Sequence, residues 1–263
     1  MSDKKSLAML CDYGLDDAIA TLYLLEYADR FNRIDIVSIG GNFPLKSTFV
    51  NAKRILTHSG KRLNNIRIVD TSSFSQPEEH IPEIHGNDGM GDVLPEEYSE
   101  TASVIAYEKW LDELDSSYIL LSLGPCTVTL DILKHYGELP LVMMAGNISE
   151  PPNYNGYEFN HGLDTQAFAE CVKYPHACAT LDTCHNPLCD LNLFENSQKG
   201  LLKTMLDRYR EMSRSRHEAV CSVYDLTAAV YLIHPEYFRT ERLNDRDGNE
   251  VTVLRYIFNE PIV

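Results

Sequence analysis

Leu7-Ala-Met-Leu-Cys11, then Asp12-Tyr-Gly-Leu-Asp16-Asp17, then Ala18-Ile-Ala-Thr-Leu-Tyr-Leu-Leu-Glu-Tyr27 is the stretch that decides the fold. A short apolar run, a polar break and a segment with apolar residues at helical spacing predict strand, loop and helix. The alternation returns at residues 34–39 before a helix at 47–58, at 66–69, and at 118–123 before a helix at 129–135. Residues 141–144 and 177–181 supply two more strands. Such repetition predicts an α/β fold: an open, mostly parallel, Rossmann-like sheet with helices on both faces. The last third differs. Residues 197–214 and 226–233 read as helices, the second closed by Pro235, and residues 237–241 and 251–257 flank the turn signal Asp247-Gly-Asn249. That pattern predicts a small C-terminal antiparallel hairpin.

A chain of 263 residues without a repeat, low-complexity tract or Ser/Gly linker is expected to be a single domain over 1–263. Its 44% hydrophobic and 24% charged residues are those of an ordinary globule, which excludes disorder, collagen and coiled coil. No apolar stretch approaches the roughly 18 to 20 residues of a membrane helix, and no signal peptide or membrane partner is expected. Thirty-nine acids against twenty-three bases give a net charge of -16, which repels nucleic acid and anionic lipid. Divalent cations and small molecules are the compatible partners. An odd seven cysteines with no export signal read as reduced thiols in a cytoplasmic protein.

In an open α/β sheet, ligands bind beyond the carboxyl ends of the strands, so the loops that leave strands carry the chemistry. The first loop places Asp12, Asp16 and Asp17 within six residues. Helix capping by Asp16 or Asp17 accounts for one acid but not for three, whose mutual repulsion demands protons or a cation. A hard divalent ion, Ca²⁺ or Mg²⁺, is the natural counter-charge, and Asp225 and the Gly124-Pro-Cys-Thr127 turn could supply further oxygens. The segment Asn153-Tyr-Asn-Gly-Tyr-Glu158-Phe-Asn160 is amide-rich and aromatic, suited to hydroxyl recognition. His85-Gly-Asn-Asp-Gly-Met-Gly91 is glycine-rich and could be a mobile lid. Tyr209, Arg210 and His217 could face a ligand or form a solvated helix face, and Trp110 reads as packing. The cysteines at 171, 178, 184 and 189 lack the paired spacing of a zinc site.

Together these loops resemble the inosine-uridine nucleoside hydrolase family. The block from Asp12 to Ala18 resembles its Asp-x-Asp-x-Gly-x-Asp-Asp signature. Gly40-Gly-Asn42, His85-Gly, Gly89-Met-Gly91, Gly124-Pro-x-Thr127, Glu158-Phe-Asn160, Leu181-Asp-Thr and Tyr224-Asp225 follow in the family's order over about residues 7 to 235. The resemblance implies Ca²⁺-dependent hydrolysis of the N-glycosidic bond of a ribonucleoside or related N-riboside. It implies Asp12, Asp17, Asp225 and the Thr127 carbonyl as metal ligands, with metal-bound water as nucleophile and Asp12 as its base. Asp16, Asn42, His85, Asn153, Glu158 and Asn160 would hold the substrate, and Tyr224 would be the catalytic group near the base. A homo-oligomer, dimer or tetramer, is also implied. Three positions depart from the pattern: Leu10 stands where members carry another Asp, Tyr224 where many carry His, and Pro152 where an amide is expected, with Asn153 and Asn155 nearby. These departures motivate the alternative of a non-catalytic protein that binds Ca²⁺ and a ribosyl ligand. A phosphatase of the aspartyl-nucleophile type needs an acid at position 14, which is Gly.

Overall fold

The computed structural model describes residues 4–61, 64–99, 102–193, 198–258, 260 and 262. The strands are β1 (Ser6–Cys11), β2 (Ile34–Ser38), β3 (Ile66–Asp70), β4 (Ser103–Ala106), β5 (Tyr118–Ser122), β6 (Leu141–Met144), β7 (His176–Ala179), β8 (Phe238–Asn244) and β9 (Glu250–Tyr256). The α-helices are α1 (Leu15–Glu26), α2 (Leu45–His58), α3 (Pro82–His85), α4 (Tyr107–Leu111), α5 (Cys126–Tyr136), α6 (Phe159–Leu163), α7 (Thr165–Cys171), α8 (Leu181–Cys184), α9 (Gly200–Ser215) and α10 (Tyr224–Ile233). One nine-stranded sheet runs β4-β3-β2-β1-β5-β6-β7-β9-β8. Every pairing is parallel except β8 with β9.

Strand β1 lies inside the sheet between β2 and β5, buried at every position, as a strand covered on both faces must be. Leu7, Met9 and Cys11 pack with residues of α1, α2, α9 and α10, while Ala8 and Leu10 pack on the opposite face with residues of α4, α5 and α7. The alternation of side chains along one strand thus builds two cores, one on each face. Leu10, the departure from the family signature, pairs with Val37 and Ser122 and is fully buried in the second core. Its place is taken up by packing.

The expected elements are found; α1, α2, α5 and α10 begin two or three residues earlier than periodicity suggests, whereas α9 begins at Gly200, and residue 197, where that helix was expected to start, lies outside the described residues. Two differences have physical causes. The C-terminal hairpin is no appendage: β9 runs parallel to β7 through Cys178 and Val253, so the hairpin extends the main sheet. Strand β4 was not expected: it is a four-residue edge strand whose short apolar stretch, Val104-Ile-Ala106, runs directly into α4. Trp110 packs fully buried, as expected, and also donates its Nε1–H to Asp35 Oδ2 at 2.8 Å. That fully buried carboxylate also accepts from Arg67 Nε at 2.8 Å and from the Tyr118 hydroxyl at 2.7 Å, which satisfies it. All seven cysteines are buried and unpaired.

Candidate active site

Two helices begin where β1 and its neighbours end, and both carry acids in the first turn. Helix α1 brings Asp16 and Asp17, helix α10 brings Asp225, and the two helices pack together. Helix N-termini favour negative charge, which eases this gathering without cancelling it. Carboxylate oxygens of Asp16, Asp17 and Asp225 lie within 4.8 Å of one another, all three residues buried. Asp16 Oδ1, Asp17 Oδ1 and Asp225 Oδ2 have no hydrogen-bond partner. Asp17 serves both readings of the sequence: its Oδ2 accepts from Gly14 N–H at 2.9 Å, closing the start of α1, while its other oxygen faces the cluster.

Asp12 lies beside this group, fully buried. Its Oδ2 accepts from the Asn42 backbone N–H at 2.9 Å and its Oδ1 from the Asn42 side chain at 3.0 Å. Burial pushes its carboxyl up to about 8 against the Asn42 backbone hydrogen bond, and the Asp16 charge adds to the rise. Burial and then the neighbouring carboxylates also drive Asp17 and Asp225 upward. Without a cation, protons are the remaining counter-charge, so a hard divalent ion fits this set of oxygens. The backbone closes tightly on Asp12: a methyl group on Gly41 would fall 1.9 Å from its Oδ2, so only glycine allows that approach.

Above the acids opens a cavity of about 400 Å³, within the usual range for small-molecule sites. Of the expected substrate residues, Asp16, Asn42, His85, Asn153, Glu158 and Asn160 all line it, as do Tyr224 and Asp225. Asn153 rather than Asn155 faces the space; Asn155 adopts a φ of 47° in the neighbouring turn. Glu158 caps α6: Asn160 N–H reaches its Oε1 at 3.0 Å, and Gly146 and His161 N–H groups reach its Oε2 at 2.7 and 3.0 Å. Burial pushes this carboxyl up to about 7, while those three donors oppose the rise. Asn160 spends both amide hydrogens on the carbonyls of Leu123 and Met144, which leaves its oxygen to offer a ligand.

Thr127 does not line this cavity. It sits in the first turn of α5, where its carbonyl is engaged along the helix, and its hydroxyl donates to Asp164 Oδ2 at 2.6 Å beside a separate hollow. The residue of that turn bordering the acid-lined cavity is Leu123, immediately after β5. Sequence reading missed it because only the end point of the strand, and not a side chain, distinguishes it. Tyr209, Arg210 and His217 do not line the cavity.

The glycine-rich segment is a buttress, not a lid. His85 Nδ1 accepts from Leu15 N–H at 3.1 Å, so that nitrogen is unprotonated. Its 3.5 Å approach to Asp16 Oδ1 is therefore no ion pair. Burial lowers the His85 pKa, which agrees. Met90 is fully buried, and Gly89 has a φ of 78° with a would-be methyl 2.9 Å from the Tyr13 carbonyl. Gly89→Ala is expected to destabilise the fold by about 1–3 kcal/mol and to loosen the acidic loop. A lower urea midpoint with weaker cation binding is the expected readout; an unchanged midpoint would refute this buttressing.

Buried acids and convergent amides at the carboxyl edge of an open α/β sheet define an enzyme for a small polar molecule. A family model described as inosine-uridine preferring nucleoside hydrolase matches residues 8–252, and the chain belongs to that family of N-glycosyl hydrolases. The family is metal-dependent, and the Asp16, Asp17 and Asp225 cluster is a group that could hold a metal. The chain is 25% identical over 253 residues to the pyrimidine-specific ribonucleoside hydrolase RihA of Shewanella woodyi, covering 88% of this chain and 80% of that one. It is also 25% identical to the inosine-uridine preferring nucleoside hydrolase of Crithidia fasciculata, with 91% and 82% covered. The fold is similar to that of a purine-preferring ribonucleoside hydrolase from Gardnerella vaginalis, with a TM-score of 0.74, 21% identity and 97% and 93% covered. Among the described residues, no helix is long and apolar enough to cross a membrane.

Proposed function

We propose that this chain hydrolyses the N-glycosidic bond of a ribonucleoside, or a related N-riboside, to ribose and free base with Ca²⁺ as cofactor. The observation that carries the reading is the set of three buried, unpartnered carboxylate oxygens beneath a cavity walled by Glu158 and Asn160. Asp12, Asp17 and Asp225 are the proposed cation ligands, with the Leu123 carbonyl replacing that of Thr127. A divalent cation held there would supply the positive charge that acidifies water and favours hydroxyl oxygens. Asp12, held by Asn42, takes the proton of the attacking water at its carboxylate. Asp16, Asn153, Glu158 and the Asn160 amide oxygen hold the sugar hydroxyls, and the acids stabilise the positive charge that develops at the anomeric carbon. His85 offers Nε2–H to the cavity, since Nδ1 is occupied by Leu15. Tyr224 marks the end of the cavity assigned to the base.

The test is ribose release from inosine, adenosine, uridine and cytidine by purified protein with added Ca²⁺, with Asp12→Ala as control. Release that disappears in the control is expected. Protein that holds Ca²⁺ and binds nucleoside without releasing ribose would overturn the hydrolase and establish the binding protein instead.

A further inference from the structure

Away from the acidic cavity, the turn between β8 and β9 meets helix α6. His161 of α6 brings a ring nitrogen, and Asp245 and Asp247 of the turn bring carboxylate oxygens, all within 4.8 Å of one another. None of the three residues lines the cavity. His161 is 1% exposed, and neither its Nδ1 nor its Nε2 has a hydrogen-bond partner. Its ring stacks on Phe168 at 3.9 Å and tilts against Tyr157 at 4.5 Å between centroids. Packing accounts for an aromatic ring, and a phenyl would serve it equally. It does not account for two buried nitrogens that no group satisfies. Burial lowers the pKa of the ring against the charges of Asp245 and Asp247, which leaves the imidazole in the neutral form that ligates a metal. The facing carboxylate of Asp245 is held in place: its Oδ1 accepts from the Asp247 and Asn249 N–H groups, both at 2.9 Å, and its Oδ2 from the Asn249 side chain at 2.9 Å. Lone pairs remain on both oxygens or on Oδ2 alone, so the group can still ligate. Arg246, the cation between the two acids, donates to the Gly156 carbonyl and lies over the Tyr157 ring.

We propose that His161, Asp245 and Asp247 form a separate cation site, for a borderline ion of the Zn²⁺ class, that ties α6 to the β8–β9 turn. Donor chemistry distinguishes it from the acidic cavity. An imidazole with two carboxylates suits Zn²⁺, whereas the all-oxygen cluster of Asp16, Asp17 and Asp225 suits a harder ion. Bonds of about 2.0–2.2 Å set the ligand atoms of one Zn²⁺ about 3–4.4 Å apart, so the three side chains need close only slightly on an ion. Asp247 is exposed, which gives an ion a way in and lets water complete the shell. The consequence for the cavity is mechanical. Glu158 caps α6 and Asn160 belongs to it, and both line the cavity, so a tie at His161 steadies that wall. The site is independent of the riboside reading.

The deciding experiment is Zn²⁺ binding by equilibrium dialysis of tag-free protein in excess Ca²⁺, with bound zinc counted by elemental analysis and the melting temperature followed with and without Zn²⁺. The wild type is expected to retain one zinc ion per chain and to melt higher in its presence. His161→Phe, which keeps the stacked ring, and Asp247→Ala, at an exposed position, are each expected to weaken Zn²⁺ affinity at least about 10²-fold. Both are expected to lose the zinc-dependent rise in melting temperature. Should His161→Phe fail to fold, Asp247→Ala decides. Asp225→Asn, in the acidic cavity, is expected to keep both the zinc and the rise. A folded wild type that retains no zinc, or an affinity in Asp247→Ala within about tenfold of wild type, would overturn the site. Zinc lost in Asp225→Asn would overturn it too, by placing the ion in the acidic cavity.

Discussion

Asp225→Asn is expected to reduce ribose release roughly 10³-fold or more while raising the melting temperature of the cation-free protein. Both effects have the same origin. Asp225 is 2% exposed, its Oδ2 has no partner, and the oxygens of Asp16 and Asp17 lie within 4.8 Å. Burial and three neighbouring carboxylates all push its pKa upward, which means that its charge is a burden on the fold. An amide of the same shape removes that burden and one proposed cation ligand together. Relief of about 1 kcal/mol would raise Tm by about 2–4 °C in a chain of this size. Calorimetry with and without Ca²⁺, beside the ribose assay, measures both. A variant that melts lower than wild type without cation, or that keeps activity within tenfold, would show that these acids support the fold and do not hold a cation.

Glu158→Gln is expected to cost roughly 10²-fold in turnover and to alter how stability depends on pH. The carboxylate accepts three backbone N–H groups, so an amide nitrogen in its place meets donors and disturbs the start of α6. The sign for the wild type follows from the raised pKa. Burial lifts Glu158 from 4.5 to about 7, so between those values the folded protein binds more protons than the unfolded chain. Its contribution to stability is fully present below about 4.5 and is lost as pH rises through about 7. The loss is at most about 3 kcal/mol, because the three donors favour the ionised form. Urea midpoints at pH 5 and pH 8 test this: the wild type is expected to decline across the interval more steeply than Glu158→Gln. Equal slopes would assign the decline to other groups.

The legible parts of the site were those in which several chemically unusual residues fall close together. Asp12, Asp16 and Asp17 announced themselves because three acids after an apolar strand exceed what a helix start requires. Glu158 and Asn160 stood out in an amide-rich loop, and the structure brings both to the cavity. The glycines at 86, 89 and 91 were visible but their use was not: glycine permits motion and close packing alike, and contact with Tyr13 and burial of Met90 decide for packing. Thr127 was singled out by a motif, which records neighbours along the chain, whereas an oxygen's availability depends on where the helix begins. The helices α6 and α7 were invisible, being too short for a period to repeat.

The sequence by itself determined the parallel α/β alternation, the acidic loop at the end of the first strand and the order of the loops that follow. Those features depend on local periodicity and on charges a few residues apart, which a chain carries whatever its surroundings. Only the tertiary structure decided that Asp225 joins Asp16 and Asp17 and that Leu123 and not Thr127 borders the cavity. Each of those pairings joins loops distant in sequence. Parallel strands bring such loops to one edge of the sheet, and the packing of α1 against α10 sets which oxygens meet there.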